Sequence, residues 1–210
     1  MTATQKPGVD DTDVPTWLKP EQVDALLDVV HQASPSYLQL RDEALIMLAY
    51  DTGLRASEVV GLDVDHLHLD DTDPYVFVPA AIQKGGESYA RDTPIELRSS
   101  LGTARVLRHY LRDRWKDTTA LFPSRSSSRL TTDAFRNVVE KLSVEAEVEP
   151  YRTEDNVQVG PEHVSPHSLR HSLFYREFVE DERRLKEVSL RLRHRRLSTT
   201  EEFYANLIRV

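Results

Sequence analysis

The chain has 210 residues, which suits one substantial domain and is short for two of ordinary size. It contains no cysteine, so disulfides and thiolate metal sites are excluded, and no apolar run approaches membrane length. The polar, acidic start lacks signal character, and a cytoplasmic protein without a membrane partner is expected.

The formal net charge of −8 is unfavourable for nucleic-acid binding at first sight. Its distribution changes that reading. Residues 1–80 carry 4 Lys/Arg against 15 Asp/Glu, a balance of −11, whereas residues 81–210 carry 23 against 20, or +3. Arg183 to Arg196 holds seven Lys/Arg and one Glu. Such a run is either a solvated helix face or an electrostatic footprint for phosphate. The balance of 21 Arg to 6 Lys on an acidic chain also fits a halophilic-like, salt-adapted composition.

In chain order, residues 1–15 read as a disordered acidic tail. Val23, Leu26, Leu27 and Val30 recur at helical spacing and predict a helix over 19–31. A second helix over 37–51 buries Ala44, Leu45, Leu48 and Ala49 and is closed by Gly53 as its C-terminal cap. After a short helical turn over 55–60 the period changes. Residues 75–78, 81–83 and 92–95 read as strands, with Gly85 and Gly86 supplying the turn between the last two.

Helical spacing returns at Leu101, Val106, Leu107, Tyr110 and Leu111, and again at Phe135, Val138, Val139 and Leu142 after a Thr131/Thr132 cap. Residues 150–161 are polar and read as a loop. Ser165 as N-cap and Pro166 at the first position open a helix predicted to run to about residue 180. On it His167, Arg170 and His171 share one face of the first turn, and Phe174 and Phe178 continue that face. An arginine and a histidine at a helix N-terminus favour an anion such as phosphate.

The run Pro166, His167, Ser168, Leu169, Arg170, His171, the later Leu192, Arg193, His194, and a tyrosine one helical segment beyond resemble the C-terminal signature of the tyrosine recombinases, the phage-integrase and Xer-type family. Thr52, Gly53, Leu54, Arg55, Ala56, Ser57, Glu58 resemble its first-arginine box, and Lys84 stands where its β-hairpin lysine would. The resemblance spans roughly residues 16–208, with four motifs in the family's order. It implies a mostly helical α+β fold with a small three-stranded antiparallel sheet, residues 16–210 forming the catalytic domain without the family's N-terminal core-binding domain. The implied activity is site-specific cleavage and rejoining of double-stranded DNA through a 3′-phosphotyrosyl bond, with no cofactor and with a homo-oligomer, a tetramer in the synapse, on the DNA.

For the residues, the resemblance implies Arg55 and Arg170 as the phosphate clamp, Lys84 as general acid, His167 and His194 in proton transfer, and Tyr204 as nucleophile. Lys84, Arg91, Arg191, Arg193, Arg195 and Arg196 are the candidate DNA contacts. Glu58 reads as a structural partner of Arg55, and His171 as a structural donor behind Arg170. His163, His167 and His171 are spaced by four, but Pro166 interrupts a common helix and no carboxylate completes that face, so no metal site is expected. The family's tyrosine usually falls one residue sooner, at Phe203. One helical residue turns a side chain by about 100°, and capping boxes at Ser198/Glu201 or Thr199/Glu202 allow the helix start to shift and restore Tyr204. An inactive or truncated DNA-binding relative and a type IB topoisomerase-like enzyme remain the alternatives.

Overall fold

A computed structural model describes residues 14–84 and 90–193. The expected acidic tail lies almost wholly outside these residues. The chain enters as strand β1 (Thr16–Trp17), followed by α1 (Pro20–Asp28) and α2 (Val30–Ala33). The single helix expected over 19–31 is thus two, with Val29 as the joint between them. Helix α3 (Gln39–Thr52) begins after a 3₁₀ turn over Ser36–Leu38 and is buried around nearly its whole circumference. A helix of that kind belongs at the centre of a core rather than on its surface.

Gly53 ends α3 at φ 61°, in the left-handed region. A Cβ at this position would lie 2.8 Å from Leu192 Cδ2 and 3.1 Å from Leu173 Cδ1, so glycine is required by backbone and by space. Helix α4 (Ala56–Gly61) follows, and then β2 (Leu67–His68), β3 (Tyr75–Val78) and β4 (Thr93–Glu96) pair antiparallel in the order β2-β3-β4, with Val76 opposite Ile95.

The sheet has three antiparallel strands as expected, but not the three expected ones. Residues 81–83 are not a strand. Pro79 starts a 3₁₀ turn over Ala80–Ile82, and bonds to side chains stand in for the ladder: Gln83 Nε2 donates to Val78 O (2.9 Å) and Arg91 O (2.7 Å), and Asp92 Oδ1 accepts from Ala80 N–H (2.8 Å). Gly61 matters here, because a Cβ on it would sit 3.2 Å from Ile82 Cβ. The absence of a side chain on α4 lets the turn that carries Lys84 lie directly against it.

Helix α5 (Thr103–Arg112) packs on α3, and α6 (Thr132–Glu145) starts at Thr131, whose hydroxyl accepts from Ala134 N–H at 3.1 Å. The expected loop over 150–161 contains strand β5 (Tyr151–Arg152), which pairs antiparallel with β1. Trp17 is sandwiched between Tyr151 (4.9 Å) and Tyr175 (4.3 Å). Helix α7 (Pro166–Tyr175) then continues as a π turn over Arg176–Glu180, and α8 (Leu185–Arg191) ends the described chain. The helix expected to about 180 is therefore α-helical only to Tyr175. One core runs from Leu26, Leu45 and Leu48 through Val76 and Ile95 to Phe122, Phe135 and Leu169, and a second cluster of Trp17, Leu173, Phe174, Val188 and Leu192 joins β1, α7 and α8.

Candidate functional site

The N-terminus of α4 follows the glycine stop of α3. Arg55 N–H donates to Glu58 Oε2 at 2.8 Å, which satisfies one of the helix's orphan donors. Glu58 has no solvent exposure, and its carboxylate binds two guanidinium groups: Arg55 Nη1 at 3.1 Å on Oε1 and Arg193 Nη2 at 2.6 Å on Oε2. Burial raises the Glu58 carboxyl, but Arg193, the Arg55 N–H and the Arg55 guanidinium outweigh it and hold the group below its ordinary value. The structural role expected for Glu58 is what these contacts provide. Arg55 keeps a third of its side chain exposed, so it pairs with Glu58 while still facing outward.

Arg170, on the first turns of α7, is only 3% exposed. Its place at a helix N-terminus favours an anion beside it, yet its bonds among the described residues run to carbonyls: Nη1 donates to Gly53 O and Nη2 to Leu192 O. The planar fork therefore ties the loop before Arg55 to the end of α8. Burial lowers the Arg170 pKa to about 9, with Arg55 and Arg193 adding to the effect and Glu58 opposing it. It stays a cation at neutral pH, inside a group of three guanidiniums and one carboxylate.

His167 and Ala56 line one cleft of about 130 Å³, together with Thr132, Asp133, Arg136, Ser165 and Pro166. The start of α7, the start of α6 and the residue after Arg55 thus meet at one opening. Ser168 Oγ accepts from Ser165 N–H at 3.0 Å and fixes the first turn of α7. His171, expected behind Arg170, turns the other way: its Nδ1 donates to Thr16 O at 3.0 Å, while its ring lies edge-on to His167 at 4.3 Å. Thr16 and Ser168 share a 2.7 Å hydrogen bond and Leu18 N–H donates to Ser172 Oγ at 2.8 Å, so β1 is a strap that sets the axial position of α7. No local pattern announces this, because the partners are about 150 residues apart.

Lys84 and Arg91 are exposed on either side of residues 85–89, which are outside the described residues. Arg191 and Arg193, read in sequence as part of a basic DNA-facing run, turn inward instead. Arg191 pairs with Asp51 (3.0 Å) and Glu177 (2.8 Å), both without appreciable exposure, and Arg98 adds a 2.7 Å bond to Glu177. Burial raises the Asp51 carboxyl and lowers the Arg191 guanidinium, each partly offset by the other's charge. His194, Arg195, Arg196, Phe203 and Tyr204 lie outside the described residues. Among the described residues, the acid-imidazole group Asp63, Asp65 and His66 is already engaged in protein bonds: Asp63 pairs with Arg129, and His66 Nδ1 accepts from Asp63 N–H at 3.0 Å.

Arg55, Arg170 and Arg193 thus gather around Glu58 between the start of α4, the first turns of α7 and the end of α8. Residues 16–209 match the model of the phage integrase family, and the chain belongs to that family. It is 33% identical over 204 residues to tyrosine recombinase XerC of Neisseria meningitidis serogroup B, covering 95% of this chain and 59% of that protein. Tyrosine recombinase XerD of Haemophilus ducreyi is 31% identical over 192 residues, covering 90% and 57%. Among solved structures, XerH bound to difH in a pre-cleavage complex superposes with a TM-score of 0.69 at 22% identity, over 91% of this chain and 50% of that one. XerA recombinase gives 0.68 at 18% identity, over 94% and 61%. The chain therefore spans between half and about three-fifths of the length of these relatives.

Proposed function

We propose that this chain is the catalytic domain of a site-specific DNA recombinase. The observation that supports this reading is that Arg170 bonds the Gly53 turn leading into Arg55, while His167 lines a cleft beside Ala56, in a chain of the phage integrase family. The Tyr204 hydroxyl gives its proton to one of the imidazoles His167 and His194 as its oxygen attacks the scissile phosphorus, forming a 3′-phosphotyrosyl bond while the bond to the 5′ oxygen breaks. The departing 5′ oxygen takes a proton from Lys84 and leaves as a hydroxyl. Arg55 and Arg170 stabilise the charge that builds on the non-bridging oxygens. A second 5′ hydroxyl then displaces Tyr204 and reseals the strand, so the phosphodiester energy is retained in the covalent link.

The partner is double-stranded DNA. A relative bound to a palindromic site supports a symmetric assembly of several protomers, since a repeated half-site mirrors a two-fold arrangement of protein. Lys84, Arg91, Arg195 and Arg196 are the proposed peripheral phosphate contacts, while Arg191 and Arg193 serve the interior. The test is a nicked substrate from which the 5′ fragment diffuses away after cleavage. Accumulation of a covalent protein–DNA adduct supports the recombinase, whereas tight binding without adduct favours an inactive DNA-binding relative.

A further inference from the structure

Arg193 has two unusual properties. It adopts φ 54°, the left-handed conformation that side chains other than glycine rarely take up. Its guanidinium is nearly buried, and Nε and Nη1 have no hydrogen-bond partner among the described residues. A strained backbone and an under-partnered buried cation persist only where the surroundings compensate. The compensation is the 2.6 Å bond to Glu58, the same carboxylate that holds Arg55.

With Arg55 alone, a buried Glu58 would neutralise its partner and offer an incoming anion little charge. With Arg193 on the other oxygen, the carboxylate is shared, and Arg55, Arg170 and Arg193 against Glu58 leave a surplus of two positive charges. We propose that Arg193 is a positioning residue of the phosphate site: by sharing Glu58 it supplies the charge surplus that leaves Arg55 available to a phosphate group. This deepens the phosphate-cleaving reading and rests on it for the identity of the natural ligand.

Inorganic phosphate is a suitable probe, titrated into the wild-type chain and three variants while the arginine Nε–H resonances are followed by NMR. Arg193→Lys keeps the charge. Arg193→Gly removes it and relieves the left-handed strain, and Arg193→Gln removes it alone. Wild type and Arg193→Lys should bind phosphate within about threefold of each other, whereas the Gly and Gln variants should bind about tenfold more weakly, a difference of about 1.4 kcal/mol. Circular dichroism melting separates a folded variant from an unfolded one, and Arg193→Gly, freed of strain, secures a folded neutral variant. Phosphate affinity in Arg193→Gly equal to wild type would overturn the proposal. So would equal loss in the Lys variant, which would make guanidinium shape rather than charge the cause, or the failure of wild type to bind phosphate. Adduct formation on nicked DNA is read separately. Its absence beside intact phosphate binding would count against the recombinase reading and leave the role of Arg193 standing.

Discussion

Glu58 is fully buried and yet held ionised, so its protonation is a stability event. Its folded pKa is depressed, which means that its contribution is present above the ordinary value of 4.5 and is lost as pH falls below it. Glu58→Gln should lower neutral-pH stability by about 3 kcal/mol, because two guanidiniums lose their carboxylate. It should also flatten the decline in stability below about pH 4.5, measured by urea unfolding across pH. Arg170 makes a different case. Lysine retains the charge but cannot donate to Gly53 O and Leu192 O with one fixed plane, so Arg170→Lys should cost about 1–3 kcal/mol in the same assay. The type of Arg170 was legible in the sequence, from its place one turn into a helix beside His167. Its partners were not, because backbone carbonyls brought in from residues 53 and 192 leave no trace in the spacing of side chains.

At the scale of elements, local rules carried what local rules govern. Gly53 closes α3 and Thr131 caps α6 because cap chemistry is decided within a few residues. Gly53→Ala should destabilise by more than about 1 kcal/mol and also displace Leu192, detectable as a lowered urea midpoint. What the sequence hid was made by distance. Strands β1 and β5 have two residues each, and their pairing joins positions about 136 apart in the chain, too short a pattern for alternation to appear. The segment after Pro79 has apolar residues but turns, since side chains of Gln83 and Asp92 replace the ladder.

The π turn at Arg176–Glu180 places Glu177 against Arg98 and Arg191, and this ion network joins the end of α3, the sheet exit and α8. Removing the carboxylate in Glu177→Ala leaves Arg98 without its carboxylate and Arg191 with Asp51 alone, with an expected loss of about 3 kcal/mol in equilibrium unfolding.

Across the whole molecule, the basic run that sequence placed on a DNA-facing surface is divided between interior and exterior, and this changes how charge relates to affinity. Arg191 and Arg193 are structural ions, so substituting them should lower stability or phosphate binding at the cluster rather than reduce the salt dependence of DNA association. No helix among the described residues is long and apolar enough to cross a membrane. The central claim is that the converging arginines serve a tyrosine nucleophile, and trapping on a nicked cognate DNA substrate tests it most directly. Wild type should form a covalent adduct, Tyr204→Phe should abolish it while DNA binding persists, and Phe203→Tyr should not be needed for cleavage. An adduct that appears only in Phe203→Tyr, with none in wild type, would contradict the account and make this chain a DNA-binding protein that does not cut.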